Sequence, residues 1–245
     1  MRNIKLTVEY EGTAYNGWQR QTKSEVTIQE KIEESILKTT GEKIAIHGSG
    51  RTDAGVHAIA QTANFLTGTE MDTETLCKAL NSFLPEDISV SRVEEMPSNF
   101  HSRASLIKKT YVYKILNRPS PSALERKTCW FIPQPLDADA MRDACGFVVG
   151  EHDFAVFAHA DSKVRTTVRT VFSATLKNSG DFLIFSIEAN GFLKRMVRLI
   201  VGTLVRVGRG KLSAEGFEEI MKTGVKTVDV VSAPPQGLFL EKVEY

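Results

Sequence analysis

The sequence has few cysteines, no long apolar run and almost no net charge. Its three cysteines, Cys77, Cys129 and Cys145, form no CxxC pair, which argues against a disulfide framework and a structural zinc site. The N-terminal residues alternate apolar and polar side chains and never build the run that a signal peptide or a membrane span needs. We therefore expect a cytoplasmic protein with buried, inert thiols.

The residues that are present have the composition of a globular protein. Of the 245 residues, 42% are apolar and 25% are charged, which excludes disordered, collagen-like and membrane classes. The length allows one large domain or two of roughly 100 to 130 residues.

The first half of the chain alternates strands and helices. A capping box from Thr27 to Glu30 begins one predicted helix and Gly41 ends it. A second helix is predicted to carry an apolar face and to stop before Pro85. That face consists of Leu76, Leu80 and Phe83. The predicted strands lie near 4–10, 43–48, 57–66 and 87–94.

The second half repeats this rhythm. The predicted strands are 109–116, 168–177, 181–188 and 238–245, and the predicted helices run from Asp137 past Val148, over 192–208 and over 213–222. We therefore predict an α+β fold of two similar halves, each a mostly antiparallel sheet backed by helices, with an active-site cleft between them. The predicted domains are 1–105, which carries a glycine-rich loop, and 106–245, which carries a basic helix and a final strand returning toward the cleft.

Charge is segregated along the chain although the net charge is only +1. The ranges 96–124, 162–180 and 189–214 contain 15 Lys and Arg and no carboxylate, so the remaining 171 residues carry a net charge of −14. This pattern predicts one cationic face, and phosphate backbones are the usual reason for such a face.

The predicted helix over 192–208 carries the densest part of that charge. A 100° rotation per residue places Arg195, Arg198, Gly202, Arg206 and Arg209 on one stripe. An ordinary solvated face is one interpretation. The other is that this stripe faces an anion, since a glycine inside a helix suggests a close approach to its backbone.

The loop HGSGRTDAGVHA at 47–58 is the candidate chemical centre. It lacks the lysine of a P-loop, and Asp53 stands where a dinucleotide fingerprint needs glycine. Taken alone, the loop is either a plain hairpin connection or a reactive site in which Arg51 lies beside Asp53 and keeps it ionised. A lone aspartate suits a reaction that breaks and remakes a glycosidic bond, because hydrolysis normally uses two carboxylates.

Seven segments together resemble the bacterial TruA family of tRNA pseudouridine synthases in order and spacing. They are YEGTAYNGWQRQ (10–21), GSGRTDAGVHA (48–58), FHSRASLIKKTYVYKI (100–115), GEHDF (150–154), RTTVRTV (165–171), FLKRMVRLIVGTLVRVGRG (192–210) and APPQGLFLEKVEY (233–245). The resemblance implies isomerisation of uridine to pseudouridine at positions 38, 39 and 40 of the tRNA anticodon stem-loop. It also implies a homodimer that uses neither metal nor cofactor.

The resemblance also implies roles for individual residues. Asp53 matches the essential aspartate, acting either as a nucleophile on C1′ or through a glycal intermediate, and Arg198 matches the arginine that pairs with it. Tyr111 matches the tyrosine that stacks on the target uracil, and Leu238 matches a leucine of the apolar wall. Arg51 matches an arginine that helps to evert the base.

The predicted RNA contacts are basic residues of these segments, and all five histidines are expected to be structural or RNA-facing rather than metal ligands. The predicted contacts are Arg51, Lys108, Lys109, Arg165, Arg169, Lys194, Arg195 and Arg206. Ala60, Asn64 and Ala104 depart from the family pattern, which has glycine, histidine and phenylalanine there. A non-catalytic tRNA-binding protein and an N-glycoside hydrolase remain alternatives.

Overall fold

The structure, a computed structural model, describes residues 1–21, 25–159 and 164–245. Lys163, one of the basic residues counted above, lies outside the described residues. The chain divides into two compact units, Met1–Ile107 with Leu240–Tyr245 and Lys108–Phe239. Each unit combines helices with a mostly antiparallel sheet, as the sequence predicted.

The first unit follows the predicted order of strands and helices. Its elements are β1 (Arg2–Tyr10), α1 (Ile28–Thr40), β2 (His47–Gly48), β3 (His57–Thr67), α2 (Thr73–Phe83), β4 (Ile88–Met96) and most of the last strand of the chain, β10 (Leu238–Glu244). Strand β1 lies between β4 and β3 and pairs antiparallel with both. The short β2 pairs with β3 and leads directly into the glycine-rich loop.

The predicted ends of α1 are confirmed. The Thr27 side chain accepts a hydrogen bond from Glu30 N, and Gly41 ends the helix in the left-handed conformation with φ 74°. The apolar face predicted for α2 is partly wrong. Leu76 and Leu80 are fully buried, but Phe83 in the last turn is 46% exposed.

The strand predicted over 43–48 is also largely wrong, because only His47–Gly48 form one. The backbone N–H of Ile46 donates to the carboxylate of Glu33 on α1 at 3.2 Å. A side chain therefore takes the donor that a strand partner would need, and the sheet pairing begins one residue later.

The second unit is an antiparallel sheet in the order β5–β9–β8–β7. Its elements are β5 (Lys108–Asn117), β6 (Trp130–Ile132), α3 (Ala138–Gly146), β7 (Gly150–Asp153), β8 (Val168–Ser179), β9 (Phe182–Ala189), α4 (Met196–Gly208) and α5 (Ala214–Thr223). The sequence did not predict the short strands β6 and β7, and β6 pairs parallel with β5.

Two helix ends in this unit differ from the prediction. Helix α3 stops at Gly146, so Val148 is buried beyond the helix and not on it. Helix α4 begins at Met196 and not near 192, because Arg195 before it has φ 63°, a left-handed conformation that an α-helix does not contain.

The thiols and helices bear on two further expectations. Cys129 and Cys145 are buried, and burial raises the pKa of the Cys145 thiol to about 12. Cys77 is only half-buried, contrary to expectation. None of the helices in the described ranges combines the length and the apolar content needed to cross a membrane.

Candidate active site

The loop that contains Asp53 is fixed at its base to β3. Ser49 N donates to Thr62 O at 2.8 Å, and the Ser49 hydroxyl donates to Gln61 Oε1 at 2.7 Å. Gln61 Nε2 in turn donates to Gly50 O at 3.1 Å. These bonds occupy a fully buried amide side chain, so the loop leaves the sheet in a defined direction.

A second segment, residues 10–18, supports the same loop from its other side. Trp18 N donates to Thr52 O at 3.2 Å and Gly55 N donates to Tyr15 O at 3.4 Å, so the two hydrogen bonds bracket Asp53. The Tyr10 hydroxyl bonds to Thr52 Oγ1 at 2.8 Å. Burial raises the pKa of the Tyr10 phenol well above its usual range, so this hydroxyl keeps its proton.

Glycines allow this close packing. A Cβ on Gly12 would lie 2.0 Å from Val56 O, and a Cβ on Gly17 would lie 2.5 Å from Thr52 O. Gly17 also has φ 84°, a conformation that other residues adopt only with strain. The loop is therefore held by close packing as well as by hydrogen bonds.

His57 also supports the loop. Of the two roles expected for the histidines, structural or RNA-facing, it has the structural one. It is 1% exposed, and its Nδ1 accepts a hydrogen bond from Gly12 N at 2.9 Å. No group of three or more His, Cys, Asp or Glu side chains in the described part of the chain could hold a metal ion.

Arg51 and Asp53 both project from this supported loop. Asp53 is half-buried and Arg51 is exposed. The Arg51 Nε donates to Gln19 Oε1 at 3.1 Å. Gln19 lies in the matched segment 10–21, but its sequence position predicts no role. Its contact with Arg51 becomes visible only in the folded structure.

Tyr111, Arg198 and Leu238 all belong to the second unit. Tyr111 lies on β5, is 7% exposed and packs edge-to-face against Phe192 with ring centroids 4.9 Å apart. Phe192 begins the basic segment, yet sequence reasoning gave it no role. This packing fixes the plane of the Tyr111 ring.

Leu238 is 6% exposed and begins β10. The Tyr113 hydroxyl donates to Pro234 O at 2.7 Å, and the Tyr113 ring leaves no room for a Cβ at Gly237. Tyr113 therefore positions the segment that carries Leu238.

Part of the basic stripe on α4 contacts residues 229–233 of the same chain, a packing that neither interpretation of the sequence included. A Cβ on Gly202 would lie 2.0 Å from Val231 O, so the close approach comes from residues 231–233. Arg198 Nε donates to Ala233 O at 2.8 Å, and Arg206 forms an ion pair with Asp229 at 2.6 Å. Arg195 and Arg209 flank the helix rather than extend its stripe.

Three of the predicted RNA contacts are engaged or buried within the protein. Lys108 pairs with Glu188 at 3.1 Å, Arg206 pairs with Asp229, and Lys109 is 7% exposed. A buried or neutralised cation offers little to a phosphate. Lys108, Lys109 and Arg206 are therefore poorly placed to bind an RNA phosphate.

The remaining predicted contacts of the second unit lie nearer to the solvent. Arg165, Lys194 and Arg195 are exposed. Arg169 is half-buried, its Nη1 donates to Thr166 O and Val168 O, and burial lowers its pKa.

One departure from the family pattern has a structural explanation. Asn64 is buried in the first unit, where its Nδ2 donates to Asn3 Oδ1 at 3.0 Å and its Oδ1 accepts from Ser102 N at 2.9 Å. An amide satisfies both partners at once, so this asparagine fits its site. Nothing in the structure explains Ala60 or Ala104.

Comparisons with known proteins match most or all of the chain. A family model described as tRNA pseudouridine synthase matches residues 6–103 and 144–245. The tRNA pseudouridine synthase A of Thermoanaerobacter sp. (strain X514) is 45% identical over 245 residues and covers all of both chains. The tRNA pseudouridine synthase A 2 of Clostridium perfringens (strain 13 / Type A) is 46% identical with the same coverage.

A solved structure titled "Crystal Structure of a Cbf5-Nop10-Gar1 Complex" is also similar, with a TM-score of 0.35 and 14% identity. The match covers 82% of this chain and 54% of the other, so it spans about half of that chain's length.

Proposed function

We propose, on the premise that the chain belongs to the tRNA pseudouridine synthase A family, that it modifies uridines 38, 39 and 40 of the tRNA anticodon arm. The chain is a tRNA pseudouridine synthase, and tRNA is its substrate. The observation that carries the finer proposal is the loop of Asp53, which hydrogen bonds to both neighbouring segments hold in place. We assign to Asp53 the role of the single catalytic aspartate.

The reaction breaks the bond between C1′ and N1 of the uracil and forms a bond between C1′ and C5. The Asp53 carboxylate either adds to C1′ as the base departs or removes a sugar proton to give a glycal. In both cases the detached uracil must turn to present C5, and the C5 proton leaves afterwards. One carboxylate is sufficient because the sugar regains a base and no water is added.

The other proposed active-site residues hold the reacting groups. We assign Tyr111 to stack on the uracil, because a stacked base can rotate in its own plane without losing the contact. The contact with Phe192 holds the Tyr111 ring in place for this role. Leu238 supplies an apolar wall. We assign Arg198 as the cation that pairs with the reacting carboxylate, and Arg51 fills the space from which a stem base is everted.

We propose that Arg51, Arg165, Arg169, Lys194 and Arg195 contact the RNA backbone. RNA of this kind is recognised mainly by shape and phosphate contacts, and their binding energy offsets the few kcal/mol that unstacking the target base costs. We further propose a cytoplasmic homodimer that needs no cofactor.

The test is release of tritium from tRNA that carries 5-tritiated uridine, measured in a single turnover with Asp53→Asn. Loss of the carboxylate should lower the rate by roughly 1,000-fold or more, because no other group replaces it. Binding of tRNA should change little, since the amide keeps the size of the side chain.

Asp72→Asn is the matched control. Asp72 caps α2 in the same unit, and asparagine caps helices equally well, so full activity is expected. Appreciable turnover by Asp53→Asn, or production of free uracil and an abasic site by the wild type, would refute the proposal.

A further inference from the structure

Within the first unit, a network of hydrogen-bonded side chains connects the exposed Arg51 to the buried Glu33. Gln19 Oε1 accepts from Arg51, and Gln19 Nε2 donates to Gln29 Oε1 at 2.5 Å. Gln29 Nε2 donates to Glu33 Oε1 at 2.8 Å. Gln29 and Glu33 are 7% and 8% exposed, so the inner end of this network is withdrawn from solvent, whereas Arg51 at the outer end is exposed.

The carboxylate at the buried end fixes the direction of every bond in the network. Glu33 Oε1 accepts from Gln29 and from Ile46 N, so the NH₂ group of Gln29 must face it. The oxygen of Gln29 then faces outward, where it accepts from Gln19 Nε2 and from Arg20 N at 3.0 Å. This turns the oxygen of Gln19 toward Arg51, which can only donate.

Glu33 is itself held in place. Arg20 Nη1 donates to Glu33 Oε2 at 2.9 Å, and Ile46 N donates to Glu33 Oε1 at 3.2 Å. These two donors hold the Glu33 side chain in one orientation.

The side-chain bond from Gln19 to Gln29 is not needed to attach this segment to α1. Backbone bonds from Ile28 N to Gly17 O and from Gln29 N to Trp18 O already do so, at 3.2 Å and 3.0 Å. The bond from Arg51 to Gln19 instead restricts the side chain of an exposed arginine. Without it, that side chain would lose more conformational entropy on entering an RNA stem.

We propose that Gln19, oriented by Gln29 and Glu33, is the positioning residue that holds Arg51 ready for eversion of the target base. This inference rests on the proposed function of the site. It adds that the network acts on the eversion step and leaves the bond-changing steps alone.

The test compares single-turnover rates of Gln19→Met on two anticodon-arm RNAs. In one, the target uridine is base-paired in the stem, and in the other a mismatch opposite it leaves it unpaired. Methionine keeps the length of the side chain and removes the acceptor for Arg51. The ratio of the paired rate to the mismatched rate should fall about 10-fold, the effect of losing one charge-assisted hydrogen bond.

This ratio separates positioning from folding, because a loss of correctly folded enzyme lowers both rates equally. Gln19→Glu keeps an acceptor for Arg51 and should recover most of the ratio. Gln21→Met is the matched control, since the exposed Gln21 in the same segment donates to Asn16 O at 3.4 Å, and its ratio should equal that of the wild type. Combining Gln19→Met with Arg51→Ala should lower the ratio no further than Arg51→Ala does alone.

The outcomes also separate this inference from the function on which it rests. An active wild type together with an unchanged ratio in Gln19→Met, or equal losses on both RNAs, would overturn the positioning role only. A wild type that leaves both RNAs unmodified would overturn the proposed function and this inference with it.

Discussion

Single glycines decide how closely residues 10–18 approach the loop of Asp53. Three of them, Gly12, Gly17 and Gly48, leave no room for a Cβ against the neighbouring residues, which are Val56, Thr52 and Trp18. Because these contacts are made to backbone atoms or to a buried indole, the neighbours cannot move aside without moving the loop. The position of Asp53 therefore depends on residues that never touch a substrate.

We predict that Gly17→Ala lowers both stability and turnover. The left-handed conformation alone should cost about 1 to 2 kcal/mol, and the contact with Thr52 O should displace Asp53 as well. Urea unfolding reports the stability change and tritium release reports the rate.

The control for this prediction is Gly41→Ala. Gly41 has φ 74° and nothing within 4 Å of a Cβ, so its substitution brings the same conformational strain without the contact. We expect Gly41→Ala to lower stability by the conformational cost alone, about 1 to 2 kcal/mol, and to leave turnover by the folded enzyme unchanged. Equal rates for the two variants would show that the position of Asp53 does not depend on Gly17.

At the scale of elements, α4 and residues 229–233 act as one piece. Ala233 N donates to Arg198 O at 2.9 Å, Arg198 Nε returns a bond to Ala233 O, and Arg206 pairs with Asp229. The segment thus covers the side of α4 that carries Gly202. Arg198 is therefore held in place by two hydrogen bonds to Ala233 in addition to its position in the helix.

This arrangement reverses the expected sign of a helix substitution. Glycine to alanine inside a helix normally adds up to about 1 kcal/mol of stability. Gly202→Ala should instead destabilise the protein by about 1 to 3 kcal/mol, since Val231 O would have to move. Gly146→Ala in the last turn of α3 meets nothing within 4 Å and should be neutral or stabilising. If Gly202→Ala proved stabilising in the same unfolding experiment, Gly202 could not be packed closely against Val231 O.

The elements that the sequence predicted correctly are those with local signals. Thr27, Gly41 and the alternation in β1 each act within a few residues, so they survive folding unchanged. The start of α4 could not be predicted, because it depends on the conformation of Arg195 and not on helix propensity. The same limit applied to the site: Asp53 and Tyr111 lie in recognisable segments, whereas Gln19 and Phe192 acquire partners only through the fold.

At the scale of the whole molecule, charge differs between the two units. The unit Lys108–Phe239 has 19 Lys and Arg against 13 Asp and Glu, for a net charge of +6. The other unit has 12 against 17, for a net charge of −5. Long-range attraction of a polyanion therefore comes mainly from the second unit.

The last prediction concerns the salt dependence of tRNA binding. If exposed cations of the second unit contact phosphates, Arg165→Gln should reduce the slope of log affinity against log salt concentration by about 0.7 to 0.9, the contribution of one contact. Arg92→Gln in the acidic unit is the control, because Arg92 lies on β4 and pairs with Glu94 at 3.1 Å. Its slope should match that of the wild type in the same filter-binding titration. Parallel lines for all three proteins would remove Arg165 from the RNA surface, and a reduced slope for Arg92→Gln would place RNA on the acidic unit instead.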